Sequence, residues 1–213
     1  RSPSRGLGDV YKRQSHNRVH RTTGFQMNHQ LQDYVALTAS LLKPADQVRA
    51  DMNKLPDETI NLLHCAMGMA GEFLEMKFSK NIGELVKEQS DFLFYLVAAH
   101  HQLGIPFPET FSADGVKLDP NVHMMNAMNM EQALLVVLEV TKKEFFYAKP
   151  QPEDKRQQRV VALKFLMDGL VSLTGNAGTN LAGLIDVNTA KLTQRYAGTS
   201  YSNDAAVSRV DVK

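Results

Sequence analysis

Four acidic residues have a spacing with clear chemical meaning. Glu72 and Glu75 are three residues apart, and so are Glu88 and Asp91. On a helix, side chains three residues apart are neighbours, with about 5–6 Å between their Cβ atoms. Carboxylates gathered in this way repel one another, and at ~5 Å and an effective dielectric constant of ~20 each pair costs on the order of 3 kcal/mol. A site with only carboxylate oxygens, and no His or Cys in the pattern, is typical of Mg²⁺ or Mn²⁺.

The two acidic pairs are also equidistant from a predicted turn. The midpoint of the outer two acids and that of the inner two both fall between Asn81 and Ile82, within the helix-breaking segment 79–83. In an antiparallel helical pair, residues equally far from the turn lie at the same height, so we expect all four carboxylates to meet. Gly68 and Gly71 lie just upstream. A glycine within a helix costs ~1 kcal/mol relative to alanine, so these two indicate that another group approaches the backbone closely.

A second interpretation of the acids needs no ligand. Charged runs usually form a solvated helix face, and here Lys77, Lys80 and Lys87 are near enough in sequence to pair with the carboxylates. The spacing of the acids alone does not separate this interpretation from a metal site.

The elements that must position the acids are all helical. Apolar residues recur at three- and four-residue steps, and Pro and Gly mark the breaks between segments. The predicted helices cover residues 29–42, 58–79, 83–103, 128–148, 154–173 and 181–196. We expect Asp57 to cap the second helix, residues 109–123 to form a surface loop, and the tail from Ala197 to be irregular.

The expected fold class is all-α. Two antiparallel helical hairpins, one folded near residue 81 and one near Pro152, are the ingredients of a four-helix-bundle core with flanking helices. The second hairpin repeats the acidic character of the first only weakly, through Glu139 and Asp168. The pair is either a degenerate internal repeat or two amphipathic hairpins that merely look alike.

Composition limits the classes of protein. The 213 residues have a net charge of +1, but residues 1–26 carry six Lys/Arg and one Asp, whereas the rest carries 18 basic and 22 acidic residues. A mildly acidic body disfavours nucleic-acid binding. We interpret residues 1–26 as a non-native or disordered basic leader, with a binding arm as the alternative, and residues 27–213 as one domain.

No apolar run spans a bilayer, no secretory signal is recognisable, and the single cysteine, Cys65, forms no intrachain disulfide, so we expect a soluble cytoplasmic protein.

Two blocks of the sequence resemble the MazG-like family of all-α nucleoside triphosphate pyrophosphohydrolases. The first block covers residues 62–75 and 84–96 and contains the family's Glu-x-x-Glu and Glu-x-x-Asp signature. The second, 188–196, resembles its Asn-x-x-Lys-Leu-x-x-Arg-Tyr segment, and 205–209 echoes what often follows. The chain departs from the fuller motif, which has paired glutamates, at Gly71, as some members do, and it has a long helical insertion between residues 104 and 180.

The resemblance implies Mg²⁺-dependent hydrolysis of a nucleoside triphosphate to the monophosphate and pyrophosphate, in nucleotide-pool sanitation or adjustment. It implies that the four acids are the metal-binding and catalytic residues, with Mn²⁺ as a substitute metal. It also implies a homodimer or higher homo-oligomer. The residues implied in substrate binding are Asn188, Lys191, Arg195 and Tyr196.

Two alternatives to this function stay open at this stage. A narrower enzyme of the same superfamily, either dUTPase-like or a phosphoribosyl-ATP pyrophosphohydrolase, would carry the same acids. A catalytically silent helical interaction protein would have inherited only the fold. For the silent protein, Glu75→Gln or Asp91→Asn is expected to leave function intact.

Overall fold

A computed structural model describes residues 23–106, 120–196 and 201–208, with side chains for 31–106, 129–196 and 201–208. Residues 1–22 of the predicted leader (1–26) and residues 109–119 of the predicted loop (109–123) lie outside the described ranges. Every regular element in the described ranges is a helix, which confirms the all-α class. The helices are α1 (Thr23–Leu41), α2 (Ala45–Met52), α3 (Asp57–Phe78), α4 (Ile82–Gln102), α5 (Pro120–Tyr147), α6 (Glu153–Asn176), α7 (Leu181–Tyr196) and α8 (Asn203–Ser208).

The chain divides into two compact units, Arg1–Ala45 and Asp46–Lys213. The first unit contains α1, none of whose described side chains is buried. Because α1 begins at Thr23, it crosses the boundary that the sequence suggested at Met27. The prediction of one domain over 27–213 stays a prediction.

The core of the second unit lies among four long helices. Helices α3 and α4 form one hairpin and α5 and α6 another; α3 also packs on α5, and α4 packs on α6 and α7. Fully buried side chains at this centre include Met69, Phe92, Val137, Leu166 and Leu170. Two packed hairpins agree with the predicted arrangement, while the detailed bundle geometry stays a prediction.

The helix ends explain most differences from the predicted boundaries. Asp57 is the first residue of α3 and makes no capping bond from its side chain; the N-cap is Pro56, so the predicted cap was wrong. Helix α5 begins eight residues earlier than predicted, at Pro120, because the fixed φ of proline suits the first helical position. Helix α6 continues to Asn176 and is followed by Gly178 at φ +73°, a conformation that glycine adopts without strain.

Two short helices lie outside the helices that the sequence predicted. Helix α2 follows Pro44 and has Asp46 in its first turn and Arg49 in its last, charges that favour the respective ends of a helix. Within the tail that was expected to be irregular, residues Asn203–Ser208 form helix α8. Among the described helices, none is by itself long and apolar enough to cross a membrane; only α6 and α7 together, which meet at 92°, have the length and composition to do so.

Candidate metal and anion site

The α3–α4 turn lies where the acidic spacing predicted it. Helix α3 ends at Phe78 and α4 begins at Ile82. The side-chain oxygen of Asn81 accepts a hydrogen bond from the backbone N–H of Glu84 at 2.9 Å, and a carboxylate oxygen of Glu84 accepts one from the backbone N–H of Lys80 at 2.8 Å. These two bonds cap the start of α4 and hold the turn in place.

Three of the four predicted acids converge. Each of Glu72, Glu75 and Glu88 offers a carboxylate oxygen, and these oxygens all lie within 4.8 Å of one another. Glu75 is exposed, Glu72 is partly buried, and Glu88 is only 8% exposed. We call these three residues the carboxylate cluster.

The buried member of the cluster has one oxygen without a partner. Oε1 of Glu88 accepts a hydrogen bond from Nζ of Lys87 at 2.9 Å. Oε2 is buried and has no hydrogen-bond partner within the described part of the chain. A buried carboxylate oxygen left unpaired is costly, and such a group is usually paired or coordinates a metal. Lysine pairing therefore satisfies only half of this carboxylate.

The fourth predicted acid is held by another helix. Oδ1 of Asp91 accepts a hydrogen bond from the side-chain amide of Asn188 at 2.9 Å and pairs with the ammonium group of Lys191. The side chains of Asp91 and Lys191 are only 12% and 13% exposed, so water screens the pair weakly. The packing of α7 on α4 thus brings two residues of the second sequence block onto an acid of the first.

The electrostatic environment of Glu72 reflects this crowding. Burial, followed by the negative charges of Asp91, Glu75 and Glu88, raises its pKa from the usual 4.5 to about 7, against a lowering by Lys191. The pKa of Tyr95 is also raised, mainly by burial and then by Glu72 and Asp91. A cation at the cluster would relieve this repulsion.

The second interpretation of the acids, a solvated helix face neutralised by lysines, accounts for only part of the site. Lys87 does pair with Glu88. Lys77, however, bonds Glu131 of α5 at 2.7 Å and lies over the ring of Phe73. Its charge is therefore directed away from the cluster.

A cavity of about 640 Å³ adjoins the acids. Glu72 and Asp91 line it, whereas Glu75 and Glu88 are not among its lining residues. All four residues implied in substrate binding line it as well, namely Asn188, Lys191, Arg195 and Tyr196. The structure therefore brings two distant sequence blocks to one cavity that has carboxylates and cations on its walls.

Sequence reasoning missed the aromatic part of this cavity. His64, Phe94, Tyr95 and Tyr201 also line it. The rings of His64 and Tyr95 are 5.6 Å apart, and those of Tyr196 and Tyr201 are 5.8 Å apart. The four missed residues have no diagnostic spacing, because they come from two different helices, α3 and α4, and from the residues just before α8.

The two glycines of α3 differ in whether another group packs closely against them. A Cβ at Gly68 would lie 2.5 Å from the ring of Tyr95, so the absence of a side chain lets that ring pack against α3. A Cβ at Gly71 would meet nothing within 4 Å. The expected close approach is confirmed at Gly68, and among the described residues it is wrong at Gly71.

Comparisons of the chain with protein-family models, with curated proteins and with solved structures each find no match.

Proposed function

We propose that this chain is a divalent-metal-dependent nucleoside triphosphate pyrophosphohydrolase, as its resemblance to the MazG-like family implies. The observation that carries the proposal is the carboxylate cluster. Three carboxylate oxygens within 4.8 Å of one another include one group whose second oxygen is buried without a partner. Beside it, Glu72 and Asp91 line a cavity together with the cationic residues Lys191 and Arg195.

The cluster fits a hard divalent cation. Mg²⁺ and Mn²⁺ prefer oxygen ligands, and Mg²⁺ is commonly held by one or two carboxylates together with water and substrate phosphates. Glu72, Glu75 and Glu88 would hold the ion. When bound, it would neutralise phosphate charge and polarise a water for attack on the α-phosphorus.

The remaining residues would position the triphosphate. Asp91 holds the ammonium group of Lys191 and the amide of Asn188 at the edge of the cavity. In that position Lys191, with Arg195 four residues on, places positive charge toward phosphate oxygens, and Asn188 supplies a neutral donor. Asp91 thus acts as a positioning residue in this arrangement, with metal binding as its alternative role.

The biological setting follows from the same proposal. Pyrophosphate release from a triphosphate suits sanitation or adjustment of nucleotide pools in the cytoplasm, by a homo-oligomer. The narrower candidates are dUTPase-like or phosphoribosyl-ATP pyrophosphohydrolase activity, and these differ in substrate rather than in the acids. A silent interaction protein is the candidate outside catalysis.

A substrate panel tests the proposal directly. The protein is incubated with NTPs, dNTPs including dUTP, and phosphoribosyl-ATP, with and without Mg²⁺, and the products are identified. We expect monophosphate and pyrophosphate, formed only with the metal. Hydrolysis of dUTP alone or of phosphoribosyl-ATP alone would select a narrower enzyme, and orthophosphate with diphosphate would overturn the proposal.

Substitutions distinguish hydrolysis by the carboxylate cluster from hydrolysis by a contaminating enzyme. Glu75→Gln and Glu88→Gln should each lower Mg²⁺-dependent turnover at least ~100-fold, the usual effect of removing one key electrostatic group. Glu139→Gln is the matched control, since Glu139 is a half-exposed glutamate on α5 paired with lysines. Equal activity in all three variants would favour the silent interaction protein.

A further inference from the structure

Glu72 lies between two positions that could take a cation. It belongs to the carboxylate cluster together with Glu75 and Glu88. It also lines the cavity, together with Asp91 and Lys191. The first position is surrounded by three carboxylates, whereas the second already contains a lysine.

The ammonium group of Lys191 acts on both acids of the second position. It pairs directly with Oδ1 of Asp91. Burial and then the charge of Asp91 raise the pKa of Glu72, and the charge of Lys191 lowers it. A single ammonium group thus neutralises part of two carboxylates, which is what a second metal ion between them would do.

The pair of Asp91 and Lys191 is built to persist in the free protein. Their side chains are only 12% and 13% exposed, so water screens the attraction weakly. The amide of Asn188, also on α7, donates to the same Oδ1 at 2.9 Å and holds the carboxylate in place. An ion entering this position must displace the ammonium group and then lie beside its positive charge, because like charges at this range repel strongly.

The carboxylate cluster lacks such a resident cation. Oε2 of Glu88 is buried and has no hydrogen-bond partner within the described part of the chain, although Lys87 pairs with the other oxygen. Glu75 is exposed, so an ion from solution can reach the cluster. Of the two positions beside Glu72, the cluster is therefore the one that still needs a cation.

We infer that Lys191 is a built-in cation that takes the place of a second divalent ion between Glu72 and Asp91, so that the protein without nucleotide binds one ion, at the carboxylate cluster. Two-metal hydrolytic sites hold their ions about 3.5–4 Å apart, and here an ammonium group supplies the charge of one of them. The inference rests on the metal site of the proposed function, but it concerns the number of ions rather than the reaction.

The first test counts the ions. The full chain is titrated with Mn²⁺ alone, and electron paramagnetic resonance distinguishes free from bound metal. We expect one bound ion in the unsubstituted protein and two in Lys191→Met, which keeps an unbranched side chain but removes the ammonium group. Lys143→Met is the matched control with one ion, since Lys143 pairs with the half-exposed Glu139 at 3.0 Å on α5. Two ions in the unsubstituted protein, or one in folded Lys191→Met, overturn the inference.

The second test uses the double variant Lys191→Met/Asp91→Asn, which leaves no buried charge unpaired and is informative even if Lys191→Met alone does not fold. Because both charges are removed together, the net charge beside the cluster is unchanged. We expect one Mn²⁺ ion with a Kd changed by less than ~10-fold, because altering even the partners of metal ligands costs about 10–100-fold. A larger rise in Kd would make Asp91 a ligand of the bound ion and overturn the inference.

The two proposals fail in different ways. If the unsubstituted chain binds no Mn²⁺ at all, the metal site of the proposed function fails, and the role of Lys191 fails with it. A wrong count, or a large loss of affinity in the double variant, overturns only the role of Lys191. Neither test measures hydrolysis.

Discussion

At the scale of single residues, the site is defined by how each carboxylate is neutralised. Asp91 has a cation and an amide from α7, whereas Glu88 has one lysine and an unpartnered buried oxygen. Glu72 is neutralised in part by holding its proton, as its pKa of about 7 indicates. The three carboxylates are thus neutralised in different ways because their surroundings differ, and each difference can be measured.

The raised pKa of Glu72 predicts how stability depends on pH. In the unfolded chain this carboxyl loses its proton near 4.5, whereas in the folded chain it keeps the proton until about 7. The folded state therefore binds more protons in this window, so the free energy of unfolding attributable to Glu72 should fall as pH rises from about 4.5 to about 7. Urea denaturation without metal at several pH values measures this change. In Glu72→Gln, the fall in the free energy of unfolding between about pH 4.5 and about pH 7 should be smaller. A steeper fall in the variant would contradict the assignment.

The Asp91–Lys191 pair gives a second prediction at this scale. Lys191→Met removes the cation and leaves a largely buried carboxylate with the amide of Asn188 alone, which should cost about 1–3 kcal/mol of unfolding free energy. The double variant with Asp91→Asn should recover part of this loss, because no charge is then left unpaired. Denaturant unfolding of the two variants checks both statements, and additive losses would mean that the two side chains do not interact.

At the scale of elements, the α3–α4 hairpin is the unit that brings acids from two helices together. Its turn is held by Asn81, and its close approach is allowed by Gly68 beneath Tyr95. The hairpin supplies the carboxylate cluster, while α7 supplies the partners of Asp91. The acids are thus arranged mostly by local structure, and the cations by tertiary packing.

Two glycines on α3 give a matched prediction about this hairpin. Gly68→Ala places a methyl group 2.5 Å from the Tyr95 ring and should lower the unfolding free energy by about 1–3 kcal/mol. Gly71→Ala meets open space and should raise it by about 0.5–1 kcal/mol when the chain is monomeric. Unfolding curves at low protein concentration compare the two. Equal effects of both substitutions would show that Tyr95 does not pack on Gly68.

At the scale of the whole molecule, cation binding at the cluster should be linked to folding. An ion that binds only the native state adds about 2.7 kcal/mol at a concentration 100 times its Kd. We expect Mg²⁺ to raise the thermal midpoint of the full chain, and Glu88→Gln to abolish most of that increase, with Glu139→Gln behaving like the unsubstituted protein. An equal increase in both variants would place the ion elsewhere. No increase in the unsubstituted chain would argue against the metal site itself.

The sequence alone was sufficient to predict the helical class, the centres of most helices and the position of the α3–α4 turn. The reason is that apolar periodicity, Pro and Gly act within a few residues of their own position. Three-residue spacing and equal distance from one turn, both local properties, predicted that all four acids meet. Glu72, Glu75 and Glu88 do converge, whereas Asp91 is held by Lys191 and Asn188 instead. The short helices α2 and α8 escaped prediction, since so few residues carry little periodicity.

Tertiary structure alone decided what lies around those acids. The pairing of Asp91 with Lys191 joins residues 100 positions apart, and no spacing within either helix could predict that contact. Likewise, two glycines three residues apart look equivalent in sequence, yet one faces the Tyr95 ring and the other faces open space. Such differences depend on which helix packs against each face, and that choice is made by the burial of the whole core rather than by any local pattern.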